Sequence, residues 1–280
     1  MNKKLLSLYG LKWNPFAPDL PAEAFYISPR LENFAWRVEN LAREGGFALV
    51  TGDPGLGKSV AMRTLVERLA ALPDAKVGVL TRPHAGLADF FREMGDLFGV
   101  QLQPHNRWAG SKVLREKWQA HIDASLLRPI LVIDEAQEMQ TLVLNELRLL
   151  SSARLDSQFL LTTIIAGDGR LTERFRSEEL LPVGSRIRAR LCLERATPVE
   201  LLDLLKHSVS SAGNPKLMTS ELMTTIAEHG AGNARAMMNM AGELLAAGAH
   251  REVKQLDEKL YFDVFAPPTS ADGPKSAKRK

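Results

Sequence analysis

Gly52-Asp53-Pro54-Gly55-Leu56-Gly57-Lys58-Ser59 is the stretch whose reading decides the fold. It fits the pattern G-x-x-x-x-G-K-[ST] at every position, and a fit of that kind carries meaning only between a strand and a helix. Both flanks comply. Phe47–Thr51 before it is a short apolar run of strand length, and Ser59–Leu72 after it spaces its apolar residues as an amphipathic helix does. The glycines let successive backbone N–H groups turn inward around a phosphate, at a helix N-terminus whose partial positive charge favours anions. Residues Gly52 to Val60 are therefore expected to cradle a nucleotide. Lys58 is expected to reach the β- and γ-phosphates and the Ser59 hydroxyl to bind Mg²⁺.

Downstream, Ile130-Leu131-Val132-Ile133-Asp134-Glu135 sets two carboxylates at the end of a fully apolar run. Such a run reads as a buried central strand, and ligands of parallel sheets bind beyond the carboxyl ends of the strands. Asp134 is expected to hold Mg²⁺ and Glu135 to polarise the water that attacks the γ-phosphate. Together with the phosphate loop, the pair makes ATP hydrolysis the leading expectation. Alone, an apolar strand ending in Asp-Glu is commonplace.

Working outward, Lys76–Thr81, Phe159–Ala166 and Arg190–Leu193 read as further strands. Leu31–Arg43, Leu87–Phe98, Arg107–Leu127 and Leu142–Arg154 read as the helices between them. Short apolar strands alternating with helices imply a parallel sheet covered on both faces. From Pro198 onward only helices follow, beginning with the capping box Thr197-Pro198-Val199-Glu200. The expected fold is an α/β three-layer sandwich with a parallel five-stranded sheet, followed by a small all-helical lid. The expected domains are an N-terminal arm over residues 1–30, the nucleotide-binding body over 31–196, the lid over 197–262 and a disordered basic tail over 263–280.

Composition narrows the function classes. Of 280 residues, 45% are hydrophobic and 25% charged, which suits a chain with a real core. No stretch approaches the apolar length of a membrane span, and the N-terminus lacks the apolar block of a signal peptide. One cysteine, Cys192, excludes an internal disulfide or a cysteine-rich metal site, and the six histidines show no ligand spacing. These features predict a cytoplasmic protein. The formal charge is +3, all of it supplied by Pro267–Lys280, where four basic residues face Asp272. Attraction to a polyanion must then come from that tail or from a local basic surface.

With both motifs in place the chain resembles the AAA+ ATPases, P-loop NTPases with a helical lid. The resemblance implies a first sensor after the strand that follows Asp-Glu, matched by Asp168 with Thr163 behind it. A turn aspartate in Gly167-Asp168-Gly169 is the plain alternative. It also implies an arginine finger acting on the neighbouring subunit, matched by Arg186, with Arg188 next, in Gly184-Ser185-Arg186-Ile187-Arg188-Ala189-Arg190. A second sensor opening a lid helix is matched by Arg235 in Gly232-Asn233-Ala234-Arg235. A finger acting in trans implies a homo-oligomer, ring or helical filament. A small-molecule kinase shares the loop but needs neither these arginines nor the lid.

Two subfamilies share finer detail. One is the ATPase domain of the type II secretion pathway's A component, similar in Tyr9-Gly10-Leu11-Lys12, Asn14-Pro15-Phe16, Asp134-Glu135-Ala136-Gln137 and Ala166-Gly167 ahead of Leu171. The other is the set of transposition-regulator ATPases, Mu B-like and insertion-element ATP-binding proteins. The chain as given stops after the lid, without a membrane span or a cell-wall domain, and this favours the second expectation. That resemblance implies ATP-dependent assembly on double-stranded DNA and recruitment of a transposase. The DNA contacts would go to phosphate, with Arg82, His84, Arg107 and Lys112 as candidates, and solvated loop charges as the alternative for any one of them. Trp13, Phe16, Trp36, Trp108 and Trp118 could stack on bases, although aromatics at this density more often anchor a core.

Overall fold

Ser28 opens the first long helix by accepting a hydrogen bond from the Leu31 amide with Pro29 at the first helical position, a pairing that sets a helix start from sequence alone. The computed structural model describes residues 3–101, 107–154 and 157–265, and the side chains of Arg107 and Trp108 are also outside that description. In chain order the elements begin with helix α1 (Lys3–Tyr9), α2 (Pro29–Glu44), strand β1 (Gly46–Gly52), α3 (Lys58–Ala70) and β2 (Val77–Leu80). Next come α4 (Leu87–Phe98), α5 (Arg107–Ser125), β3 (Ile130–Ile133), a 3₁₀ turn (Ala136–Glu138), α6 (Thr141–Ser151) and the short β4 (Ser152–Ala153) and β5 (Gln158–Phe159). Then follow β6 (Thr162–Gly167), α7 (Gly169–Arg174), α8 (Leu181–Gly184), β7 (Ile187–Leu193), α9 (Pro198–Ser211), α10 (Ser220–His229), α11 (Ala234–His250) and α12 (Glu258–Phe265).

The chain divides into two units, one of residues Ile27–Arg195 and one of Met1–Tyr26 with Ala196–Lys280. In the first, five parallel strands run in the order β2-β3-β6-β1-β7. Apolar side chains cover both faces. Phe47, Leu49, Leu131, Ile133 and Ile165 enter one cluster with α4, α5 and α6, while Ala48, Val50, Val132, Ile164 and Leu191 enter the other with α2 and α3. This period-two split between two buried faces is why the central strands read as continuous apolar runs. The expected five-stranded P-loop α/β fold is present.

Two strand limits differ from expectation. β7 begins at Ile187 rather than Arg190, because Ala189 and Leu191 are buried while Arg188, Arg190 and Cys192 are exposed. An edge strand with one open face alternates, and its charged half hides the strand from a reading that looks for apolar runs. The run expected from Phe159 is two pieces. Gln158–Phe159 pairs antiparallel with Ser152–Ala153, and the sheet strand starts at Thr162, level with Gly46. The pairing at Ser152 also ends α6 three residues before the expected Arg154.

The second unit is helical. Thr197 caps α9 in the full reciprocal box with Glu200, and Thr219 and Asn233 cap α10 and α11. Tyr9, Leu11 and Phe16 from the first residues share one core with Leu205, Leu222, Leu244 and Leu256. The Asn214 side-chain amide donates to the Tyr9 carbonyl at 2.9 Å, and the Lys12 amide to the Ala212 carbonyl at 2.9 Å. The stretch read as an arm thus opens with a helix and is stitched to the C-terminal helices. α12 continues to Phe265, past residue 262 where the lid was expected to end, and residues 266–280 of the expected tail lie outside the described residues.

Candidate functional site: a phosphate loop beside an acidic strand end

β1 ends at Gly52 and α3 starts at Lys58, so the five residues between them, all of the matched stretch, form the connecting loop. Gly57 caps α3 in the left-handed region with φ 98°. No side chain caps that helix, which leaves the first-turn amides to an anion. Lys58 is only 7% exposed. Its Nζ donates to the carbonyls of Gly52 at 2.8 Å and Asp53 at 3.2 Å, which seats a buried ammonium inside the loop it is meant to serve. A buried cation together with uncapped first-turn amides is the donor set that phosphate oxygens require.

The sheet register brings the other acidic strand end alongside. Ile133 is level with Ile165 on β6, and Ile165 with Leu49 on β1, so Asp134 follows at the height of Ala166 and Val50. β6 alone separates β3 from β1, which puts the two strand ends roughly 10 Å apart at ordinary interstrand spacing. Asp134 is half-buried, and its Oδ1 accepts from the Glu135 amide at 2.8 Å. Glu135 is exposed and holds φ 52°, a left-handed backbone that costs a non-glycine residue about 1–2 kcal/mol. The left-handed residue carries the chain from the end of β3 into the 3₁₀ turn, with the Glu135 side chain partly open to solvent. The exposed Ser59 hydroxyl and the Asp134 carboxylate are hard oxygen donors of the kind magnesium takes with phosphates and water. Among the described residues no group of three or more His, Cys, Asp or Glu could hold a metal by itself.

Asp168 follows β6, one residue beyond the rung that pairs Gly167 with Thr51. It caps α7, with Oδ1 accepting from the Arg170 amide at 3.0 Å and Oδ2 from Arg170 Nε at 2.9 Å. The Arg170 guanidinium is the chief reason its carboxyl is held below the usual range, and the Lys58 ammonium adds to the effect. Asp168 is thus the cap of α7, as the turn reading has it, within electrostatic reach of Lys58. Thr163 lies fully buried within β6, level with Leu131 and Phe47, and so well short of the strand end.

Three side chains missed from the sequence knit the turns after β3 and β6 together. The Gln137 side chain donates to Glu135 Oε2 and accepts from the Asp168 amide at 3.3 Å. Arg170 bridges Asp168 to Glu138 at 2.9 Å. Arg174 donates to the Gln137 carbonyl at 2.7 Å and to Thr141 Oγ1 at 3.3 Å. The segment Asp134-Glu135-Ala136-Gln137 was in view, but a bond between residues on either side of a tight turn leaves no periodic trace.

The remaining candidates fall on several elements. Arg186 stands at the junction of α8 and β7 and donates to the Pro182 carbonyl. Arg188 lies inside β7 in an ion pair with Glu44, and Arg190 donates to the Gly184 carbonyl at 3.0 Å. Arg235 is exposed in the first turn of α11, where the helix dipole disfavours a cation. Arg82 and His84 are exposed in the turn after edge strand β2. Lys112 is on helix α5 rather than in a loop, 3.7 Å from Glu116. Arg107 begins the same helix, and its side chain lies outside the described residues. Trp118 is core, edge-on to Phe98, and Phe16 is buried, so neither serves base stacking.

Residues 41–175 match the family model of the AAA domain. That stretch, just under half of the chain, is thus similar to an AAA domain. Over 186 residues, 65% of its length, the chain is 30% identical to general secretion pathway protein A of Aeromonas hydrophila, and the match spans a third of that relative. The fold is shared with Cdc6p from Pyrobaculum aerophilum, with TM-score 0.65 and 16% identity over 86% of this chain and 67% of that one. It is shared too with the Aeropyrum pernix ORC1 protein in complex with DNA, with TM-score 0.66 and 17% identity over 89% and 67%. The Thermotoga maritima RuvB Holliday junction branch migration motor follows with TM-score 0.59 and 17% identity over 85% and 68%.

Proposed function

We propose that this protein is a Mg²⁺-dependent ATP hydrolase that oligomerises with ATP on double-stranded DNA and there recruits or regulates a transposase. The observation that carries the hydrolase half is the buried Lys58 ammonium inside its loop, with the Asp134 and Glu135 strand end beside it. In this reading the amides of Gly52–Val60 bind the triphosphate and Lys58 neutralises its β- and γ-oxygens. Ser59 and Asp134 hold the magnesium, which when bound adds positive charge where the leaving oxygen becomes negative. Glu135 takes the proton of the attacking water, a task that suits an exposed carboxylate and contributes on the order of 10²–10⁴ in rate. Asp168 orients groups around the γ-phosphate, Arg186 acts on the nucleotide of the neighbouring subunit and Arg235 is the second sensor of nucleotide.

The DNA half rests on the exposed Arg82 and His84, on Arg107 and Lys112 of α5, and on the basic residues beyond Pro267. Phosphate contacts of that kind are tolerant of sequence and steeply dependent on salt. A cytoplasmic location goes with it. Among the described residues no helix is long and apolar enough to cross a membrane. A second reading, an ATPase acting on a protein partner in cell-envelope assembly, is favoured by the 30% identity to the secretion pathway protein. Binding to a fluorescent duplex with ATP, ADP or no nucleotide across a salt series separates the two. ATP-dependent, cooperative and salt-sensitive binding supports the DNA reading. No binding at low salt with a non-hydrolysable ATP analogue supports the second.

A further inference from the structure

Gln137 belongs to neither motif, yet it is 9% exposed and its side-chain amide joins the two strand ends that flank the phosphate loop. A carboxylate can only accept and a backbone N–H can only donate. The Asp168 amide therefore fixes Oε1 of Gln137, and the NH₂ must point to Glu135; turning the amide over would lose both bonds. The backbone of Gln137 is held as well, by Arg174 at its carbonyl. Gly167 makes room: a Cβ there would stand 2.6 Å from Gln137 Oε1. All of this lies between β3 and β6, and β6 is the strand next to β1. The tether thus ties the Glu135 carboxylate, through Gln137, to the end of the strand next to β1.

We propose that Gln137 is a positioning residue for hydrolysis, holding Oε2 of Glu135 so that Oε1 is left to take the proton of the attacking water. The inference rests on the reading of Glu135 as general base. It gives the strained Glu135 backbone a purpose, since a left-handed turn there lets residue 137 fold back onto the side chain of residue 135. It also couples the base to Asp168, so a shift of the turn after β6 moves both together.

The test is a double-mutant cycle on steady-state ATP hydrolysis, with labelled-ATP binding and thermal melting measured alongside. Gln137→Leu keeps the volume and removes both bonds. Gln137→Glu keeps the shape and the acceptor for Asp168 but sets a second carboxylate against Glu135. Both are expected to lower kcat by about tenfold or more at neutral pH while ATP affinity stays within about twofold. In a Glu135→Gln background, Gln137→Leu is expected to cause no further loss, because its effect passes through Glu135. An equal loss in both backgrounds, or a kcat near wild type in both Gln137 variants, overturns the proposal. Should Gln137→Leu fail to fold, Gln137→Glu decides the matter on the same terms. Full activity of Glu135→Gln alone would instead overturn the general-base reading, so the two failures remain distinct.

Discussion

Gly52 backs directly onto Leu193: a Cβ on residue 52 would stand 2.7 Å from the Leu193 carbonyl oxygen and 2.9 Å from its Cβ. The two are register partners at the last rung between β1 and β7. The same glycine offers its own carbonyl to Lys58. Gly52 therefore serves the sheet and the loop at once, and a side chain there has to push apart backbone that cannot give. Gly52→Ala is expected to cost about 1–3 kcal/mol of stability and to weaken nucleotide binding with it. Urea denaturation and labelled-ATP titration measure the two losses, and an unchanged midpoint would contradict the close approach.

Lys58→Ala takes the buried cation out of the loop and leaves the Gly52 and Asp53 carbonyls without their donor. Charge-assisted bonds to phosphate are worth about 1.5–3 kcal/mol each, so ATP affinity is expected to fall by at least about tenfold. Fluorescent-nucleotide binding checks it, with the melting temperature as the control for folding.

Glu135→Gln keeps the size of the side chain and removes its basicity. Hydrolysis is expected to fall by about 10²–10⁴ while ATP remains bound. Comparing single-turnover hydrolysis with equilibrium binding makes the distinction, and equal rates in variant and wild type would sink the assignment.

Arg186 stands just before β7, at the start of the edge strand, whereas the phosphate loop follows the end of β1. If it acts on a neighbour, Arg186→Ala and Glu135→Gln subunits are each inactive alone. Mixing them is expected to restore hydrolysis wherever an intact site meets an intact finger. ATPase activity across mixing ratios reports this, and no recovery at any ratio counts against a role in trans.

Arg170 holds the Asp168 carboxyl below its ordinary value of 3.8. A depressed carboxyl contributes stability that is present above its unfolded pKa and lost as pH falls through the folded one. The stability gap between wild type and Arg170→Ala is therefore expected to be full at neutral pH and to shrink as pH drops below about 3.8. Urea midpoints across that range measure it, and a gap independent of pH would contradict the pairing.

Legibility from the sequence followed chain continuity. The run Gly52–Ser59 and the Asp134-Glu135 strand end are contiguous, and each carries its strand or helix beside it, so both could be placed without knowing the fold. The reciprocal cap at Thr197 was equally plain, because its two partners are three residues apart. Arg188 and Arg190 misled, since in an edge strand the exposed half of the alternation is charged. Gln137 is not legible in the sequence, because its partner Asp168 lies thirty-one residues away and its bond to Glu135 forms only once the turn between them has folded.

The amino-acid sequence by itself determined the loop, its flanking strand and helix, the acidic strand end and the switch from α/β to all-helical chain, because local hydrogen bonding and apolar periodicity are written in neighbouring residues. Tertiary structure alone decided the strand order β2-β3-β6-β1-β7, the burial of Tyr9, Leu11 and Phe16 with the C-terminal helices, and the link from Glu135 through Gln137 to Asp168. Those depend on which apolar faces meet when the chain collapses. Only then do residues distant in sequence come within hydrogen-bonding reach.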